Sequence, residues 1–176
     1  MEAHGIDARY IVEIPEKYTA SFFVNTDLEN NQIASFYTGA MADAARYTLA
    51  GIPREEIDYV VISPNDPTAM RKLTDECVYL GIPYLFDPSQ QVARNPHEDL
   101  RAGVENAHAV FCNEYEFNLL VKHTGFTPQQ IDRHVRLLVI TRGDKGATIL
   151  SDDQEFEIPA VPAIKIADPT GVGDAF

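Results

Sequence analysis

The sequence predicts an α/β fold in which a parallel sheet is flanked by helices and accompanied by a small antiparallel β lid. Three observations carry this. Short continuous apolar runs alternate with segments whose apolar residues recur every three or four positions. The runs are apolar throughout, as strands buried on both faces require. The pattern before Gly39 differs, being rich in β-branched and aromatic residues separated by turn formers. The expected division is a lid over residues 8–40 and a core over residues 41–176.

In the lid, residues 9–12, 20–25 and 32–37 read as strands, and Asp27-Leu28-Glu29-Asn30-Asn31 supplies the turn between the last two. The core opens with a strand at 59–62, followed by the loop Ser63-Pro64-Asn65-Asp66-Pro67. Met70, Leu73, Cys77 and Leu80 then mark one face of a helix that Gly81 stops. The unit repeats as a strand at 83–86 ended by Asp87-Pro88, a helix over 96–106 and a strand at 109–112. Helices over 114–123 and 128–136 follow, the first with Phe117, Leu120 and Val121 on one face. A strand at 137–141 and a hairpin of 147–150 with 155–158 around Asp152-Asp153 complete the pattern.

Charge and composition exclude several functions. Fourteen Lys and Arg stand against 27 Asp and Glu, a formal charge of −13, and the longest basic cluster is Arg71-Lys72. Such a surface is unsuited to phosphate backbones or anionic lipid, so neither nucleic acid nor membrane is an expected partner. Cys77 and Cys112 have no C-x-x-C spacing and read as two reduced, packed thiols. His4, His97, His108, His123 and His134 lack metal spacing and read as surface or helix-end residues, while Asp43 and Asp58 read as ordinary surface acids. No signal-peptide pattern opens the chain, and no apolar run approaches the roughly 18 residues of a spanning helix. A cytoplasmic protein is expected.

Ligands of a parallel sheet bind at the carboxyl ends of its strands, so the loops there carry the chemistry. In Asp168-Pro169-Thr170-Gly171-Val172-Gly173-Asp174-Ala175-Phe176, two glycines flank one residue between a hydroxyl and a carboxylate. Successive N–H groups of Gly171, Val172 and Gly173 can converge on an anion, with Thr170 beside them. A carboxylate at an anion site suits a base that takes a proton from a hydroxyl attacking bound phosphate, which makes Asp174 the candidate base. The alternative from spacing alone is a tight turn with a helix-capping Asp.

This stretch closely resembles the C-terminal signature of the ribokinase-like (PfkB) sugar and nucleoside kinases. Asn113-Glu114-Tyr115-Glu116 resembles that family's N-x-x-E motif, and Thr141-Arg142-Gly143-Asp144-Lys145-Gly146 its T-x-G-x-x-G nucleotide loop. All three occur in the family's order at expected strand ends. The resemblance implies a ribokinase-like fold and an ATP-dependent kinase acting on a primary hydroxyl. It implies that Glu116, with Asn113, organises Mg²⁺ through water, and that Thr141, Gly143 and Gly146 contact ATP. The region Thr26–Met41 and Ser63–Pro67 are similar to the adenosine- or nucleoside-kinase subgroup, which implies the 5′-OH of adenosine as acceptor. Pro169 and Val172 depart from the Thr and Ala frequent in the family, and Pro has no N–H to give.

Alternatives remain at this point: a sugar acceptor, or a nucleotide-binding fragment with little turnover. The chain resembles the middle of a longer protein, lacking the family's amino-terminal sugar-holding strands and the helix after the catalytic Asp. The isolated chain is therefore expected to turn over at least a thousandfold more slowly than a full-length relative, about 4 kcal/mol of transition-state stabilisation. The flap, residues 18–37, is expected to close over the acceptor and exclude water, and its strand edges could pair two copies into a homodimer.

Overall fold

The computed structural model describes residues 2–27, 32–162, 164, 171–173 and 176. The chain separates into two compact units, Met1–Tyr47 and Thr48–Phe176.

In the first unit, β1 (Ser21–Thr26) and β2 (Gln32–Tyr37) form an antiparallel pair, with register running from Ser21↔Tyr37 to Thr26↔Gln32. Residues Leu28 to Asn31 of the expected turn lie outside the described residues. Residues 9–12 are not the strand their composition predicts. Arg9 N–H donates to Asp7 Oδ1 at 3.0 Å and Ile11 N–H donates to Ala8 O at 3.0 Å, so local turns use the donors that a ladder would need. A 3-10 segment follows at Gly39–Arg46. Gly39 has φ 51°, and a Cβ there would lie 2.2 Å from Tyr18 O, where Ala40 N–H donates at 2.9 Å. Only glycine permits that approach. Asp43 is not the surface acid expected: it is 6 % exposed, is hydrogen-bonded to Lys17 Nζ, and pairs with Arg46 at 3.1 Å. The hydrogen bond from the Lys17 ammonium holds its carboxyl below the usual carboxylate range.

The second unit is built on a six-stranded sheet in the order β3-β4-β5-β6-β7-β8. Four strands are parallel: β3 (Val60–Ile62), β4 (Tyr84–Phe86), β5 (Ala109–Asn113) and β6 (Leu137–Thr141). β7 (Ala147–Ser151) and β8 (Gln154–Ile158) add an antiparallel hairpin, so the sheet is mixed. The connections carry α1 (Pro67–Leu80), α2 (His97–Glu105), α3 (Glu114–Thr124) and α4 (Pro128–His134). Asp66 starts α1 by accepting from Thr68 N and Ala69 N, and Gly81 ends it with a left-handed residue. α4 stops short of residue 136, because Val135 is extended and Arg136 N–H donates to His108 O at 2.9 Å.

Alternation along the strands places Ile62, Tyr84, Phe86, Val110, Cys112 and Leu138 on one face. They share a single core with Met70 and Cys77 of α1, Leu100 and Val104 of α2, Leu120 of α3 and Ile131 of α4. All four helices therefore cover the same face, and each fully buried Leu, Val or Ile contributes about 1.5–3 kcal/mol. The opposite face carries Val61, Leu85, Phe111, Leu137, Ile149 and Phe156, none of which belongs to that core. The carboxyl ends of the parallel strands form one edge, and the loops that leave it are the place to look for chemistry.

Candidate active site

The loops after β3 and β4 are tied together. Gln91 Nε2 donates to Asn65 O at 2.8 Å, and Asp87 N–H donates to Ile62 O at 3.0 Å. Asn65 Oδ1 accepts from Asp66 N–H at 2.8 Å, and Asp66 caps α1, so the Asn65 and Asp66 side chains have local backbone roles.

The next loop carries Asn113 and Glu116. Asn113 is both the last residue of β5 and the cap of α3. Its Oδ1 accepts from Glu116 N–H at 2.8 Å, while Asn113 N–H donates to Glu116 Oε2 at 2.8 Å. This reciprocal pair is a capping box, readable from an Asn followed three positions later by Glu. The motif therefore has a structural duty at the helix start. It occupies one carboxylate oxygen of Glu116 and gives Oε1 no hydrogen bond among the described residues. No group of three or more His, Cys, Asp or Glu that could hold a metal exists among the described residues. A single fixed carboxylate with one free oxygen suits Mg²⁺ held through its own water, because magnesium dehydrates reluctantly.

Thr141 lies directly beside this box. The β5–β6 register pairs Asn113 with Thr141, so the N-x-x-E and T-x-G-x-x-G stretches leave adjacent strand ends together. Thr141 also pairs with Ala147, which makes residues 142–146 the connection of a tight hairpin. Arg142 N–H donates to Gly146 O at 2.7 Å, Lys145 N–H to Arg142 O at 3.1 Å, and Gly146 N–H to Gly143 O at 3.1 Å. The two glycines differ. Gly143, at φ 59°, would present a Cβ to open space. Gly146, at φ 92°, would place one 1.9 Å from Ile158 O. Gly146 is thus required by the crossing chain, and Gly143 is the open part of the loop.

Gly171, Val172 and Gly173 form an exposed turn with Gly171 at φ 78°, and Phe176 N–H donates to Gly173 O at 3.2 Å. Asp174 and Thr170 lie outside the described residues. The structure thus brings Asn113, Glu116, Thr141, Gly143 and Gly146 into one neighbourhood, and gives no geometry joining them to the 171–173 turn.

Both cysteines are free and buried, as packed thiols should be. Burial, with Glu76 nearby, pushes the Cys77 thiol up to about 11, and burial raises Cys112 further. His97 and His123 stack with ring centroids 4.4 Å apart, and His123 Nδ1 lies 3.1 Å from Val92 O, so these histidines have packing roles. Sequence reading missed Arg142, Thr148 and Glu157. Arg142 pairs with Glu157 Oε2, and Thr148 Oγ1 donates to Glu157 Oε1 at 2.8 Å. Period-two alternation places Glu155 and Glu157 on one face of β8, but only the register shows that Thr148 lies opposite Glu157.

Known proteins share this chain's sequence pattern and fold. A family model described as pfkB family carbohydrate kinase matches residues 1–176. The chain is similar to a Burkholderia thailandensis nucleoside kinase whose structure was solved in complex with inosine. The likeness covers 99 % of this chain and 58 % of that one at 37 % identity, with a TM-score of 0.92. A nucleoside kinase of Methanocaldococcus jannaschii is 32 % identical over 161 residues, 92 % of this chain and 52 % of that protein. A cytidine kinase of Thermococcus kodakarensis is 34 % identical over 133 residues, 71 % of this chain and 48 % of that protein. The chain spans about half the length of the curated relatives it matches.

Proposed function

This chain belongs to the pfkB family of carbohydrate kinases, and we propose that it forms the nucleotide-binding part of an ATP-dependent nucleoside kinase. The proposed reaction moves the γ-phosphoryl group of ATP to the 5′-OH of a nucleoside, with adenosine as first choice of acceptor. The observation that carries the reading is the pairing of Asn113 with Thr141, which sets the two motif loops side by side at the ligand edge of the sheet. Nucleoside kinases among the relatives, one of them solved with inosine, support the acceptor class.

In this reading Asp174 takes the proton from the attacking hydroxyl as the new O–P bond forms and ADP leaves. Backbone N–H groups of Gly171, Val172 and Gly173 stabilise charge on the transferring group, with Thr170 beside them. Thr141, Gly143 and Gly146 contact the nucleotide. Glu116, fixed by its capping box, would hold hydrated Mg²⁺ through water, and the ion's chemistry would be positive charge set against the phosphates.

The test is transfer from γ-labelled ATP with Mg²⁺ to adenosine, inosine, cytidine, ribose, fructose and fructose phosphates. It is run on the 176-residue chain and, if its gene encodes a longer polypeptide, on that polypeptide as well. Nucleoside 5′-monophosphate is expected, with the short chain at least a thousandfold slower, about 4 kcal/mol. Preferred transfer to a free sugar would move the assignment to a sugar kinase of the same family. Nucleotide binding with no transfer to any acceptor would make this a binding protein.

A further inference from the structure

The proposed nucleotide loop is anchored at one end by packing and at the other by charge. At its far end Gly146 lies so close to Ile158 that no side chain fits. At its near end the Arg142 side chain, 22 % exposed, reaches across β7 to Glu157 on β8. Glu157 spends both carboxylate oxygens there: Oε2 on the Arg142 guanidinium and Oε1 on Thr148 Oγ1 at 2.8 Å. Thr148 is itself buried on β7, directly opposite Glu157, so the acid is fixed from the sheet side before it meets the arginine. Arg142 Nε is buried and has no hydrogen-bond partner among the described residues. A guanidinium choosing its own best contacts would not leave that donor unpaired, so its position is imposed by the carboxylate.

The same residue supplies the N–H that closes the loop onto Gly146 O at 2.7 Å and the carbonyl that accepts from Lys145 at 3.1 Å. Fixing the Arg142 side chain therefore fixes the backbone on which Gly143 is held open. A charge-assisted contact of this kind is worth more than a neutral one, and a loop held before the ligand arrives avoids an ordering cost on binding.

We propose that Glu157 is a positioning residue for the nucleotide: through Arg142, and braced by Thr148, it holds the 142–146 loop in the shape that receives ATP. This rests on the reading of that loop as the nucleotide site. The role requires a negative charge at position 157, whereas the fold requires only a strand residue there.

The test compares Glu157→Gln with the unaltered protein in two readouts. One is hydrogen exchange of the Arg142 and Gly146 amides without nucleotide. The other is KM for ATP, KM for the nucleoside and kcat in the gene-length polypeptide, with ADP titration as a direct binding check. The expected result is faster exchange at both amides and a rise of about tenfold in KM for ATP, with kcat and acceptor KM within about twofold. Glu157→Asp, which restores the charge, should recover part of the loss. Unchanged loop exchange in Glu157→Gln would overturn the brace by itself, whatever the kinetics. Faster exchange with ATP affinity unaltered would overturn the positioning role. Faster exchange with no nucleotide bound by either protein would overturn the nucleotide reading of the loop, and the positioning role with it.

Discussion

The two units of the chain are held by different forces. In Thr48–Phe176, Leu100, Val104, Leu120 and Ile131 are wholly buried between four helices and one face of the sheet. In Met1–Tyr47, only Gly39 and Asp43 are buried among the described residues, while Phe23 and Ile33 are mostly exposed. The larger unit is stabilised by many undirected apolar contacts. The smaller one depends on a strand ladder, one close backbone approach at Gly39 and a carboxylate fixed by Lys17 and Arg46. Segments with few buried apolar contacts lie at the low end of local stability, which is where binding flaps are drawn from.

The largest effect should come from the core. Leu100→Ala is expected to lower the urea unfolding free energy by about 2–5 kcal/mol, and Phe23→Ala in the small unit by no more than about 0.5 kcal/mol. Equal losses would break the comparison. Next is the hairpin: Gly146→Ala should cost about 2–4 kcal/mol, because its Cβ meets Ile158 O in a conformation reserved for glycine. Gly143→Ala should cost about 1 kcal/mol, since only its φ is unfavourable and the space is open. Thermal melts of the two variants separate packing from backbone conformation.

How much of this was legible in the sequence follows the same division. Strands and helices of the larger unit could be read because burial writes itself as periodic apolar residues, and the three motif stretches could be read through their resemblance, in order, to a known kinase family. In the smaller unit composition misled: Tyr10, Ile11 and Val12 are aromatic or β-branched, yet turns at Asp7–Arg9 and Ala8–Ile11 use the Arg9 and Ile11 donors. Asp43 looked like any surface acid, because its partner Lys17 is 26 positions away. Glu157 and Thr148 depend on strand register, which periodicity does not encode. Asn113-x-x-Glu116 was read as chemistry alone, although its spacing is equally that of a capping box.

A smaller effect concerns pH. The Asp43 carboxyl is held below its ordinary value of 3.8 in the folded chain, so it stabilises the fold above that value. This contribution fades as pH falls through the lowered value. Protection of the Ala40 amide, which donates to Tyr18 O, taken relative to its intrinsic exchange rate at each pH, should fall several-fold in Asp43→Asn at neutral pH and in the unaltered protein under acid. Core amides of β5 should not respond. The smallest effect is on thiol chemistry. With Cys77 pushed up to about 11, roughly one thiol in a thousand is ionised at pH 8, so a thiol reagent should label neither cysteine until the chain unfolds.

The most direct test of the proposed chemistry is Asp174→Asn in the gene-length polypeptide, assayed for transfer from γ-labelled ATP to adenosine beside a measurement of ATP affinity. A fall of about 10²–10⁴-fold in kcat with ATP affinity unchanged is the predicted result, the size expected for loss of a general base. Transfer within tenfold of the unaltered enzyme would contradict Asp174 as the base and the mechanism built on it.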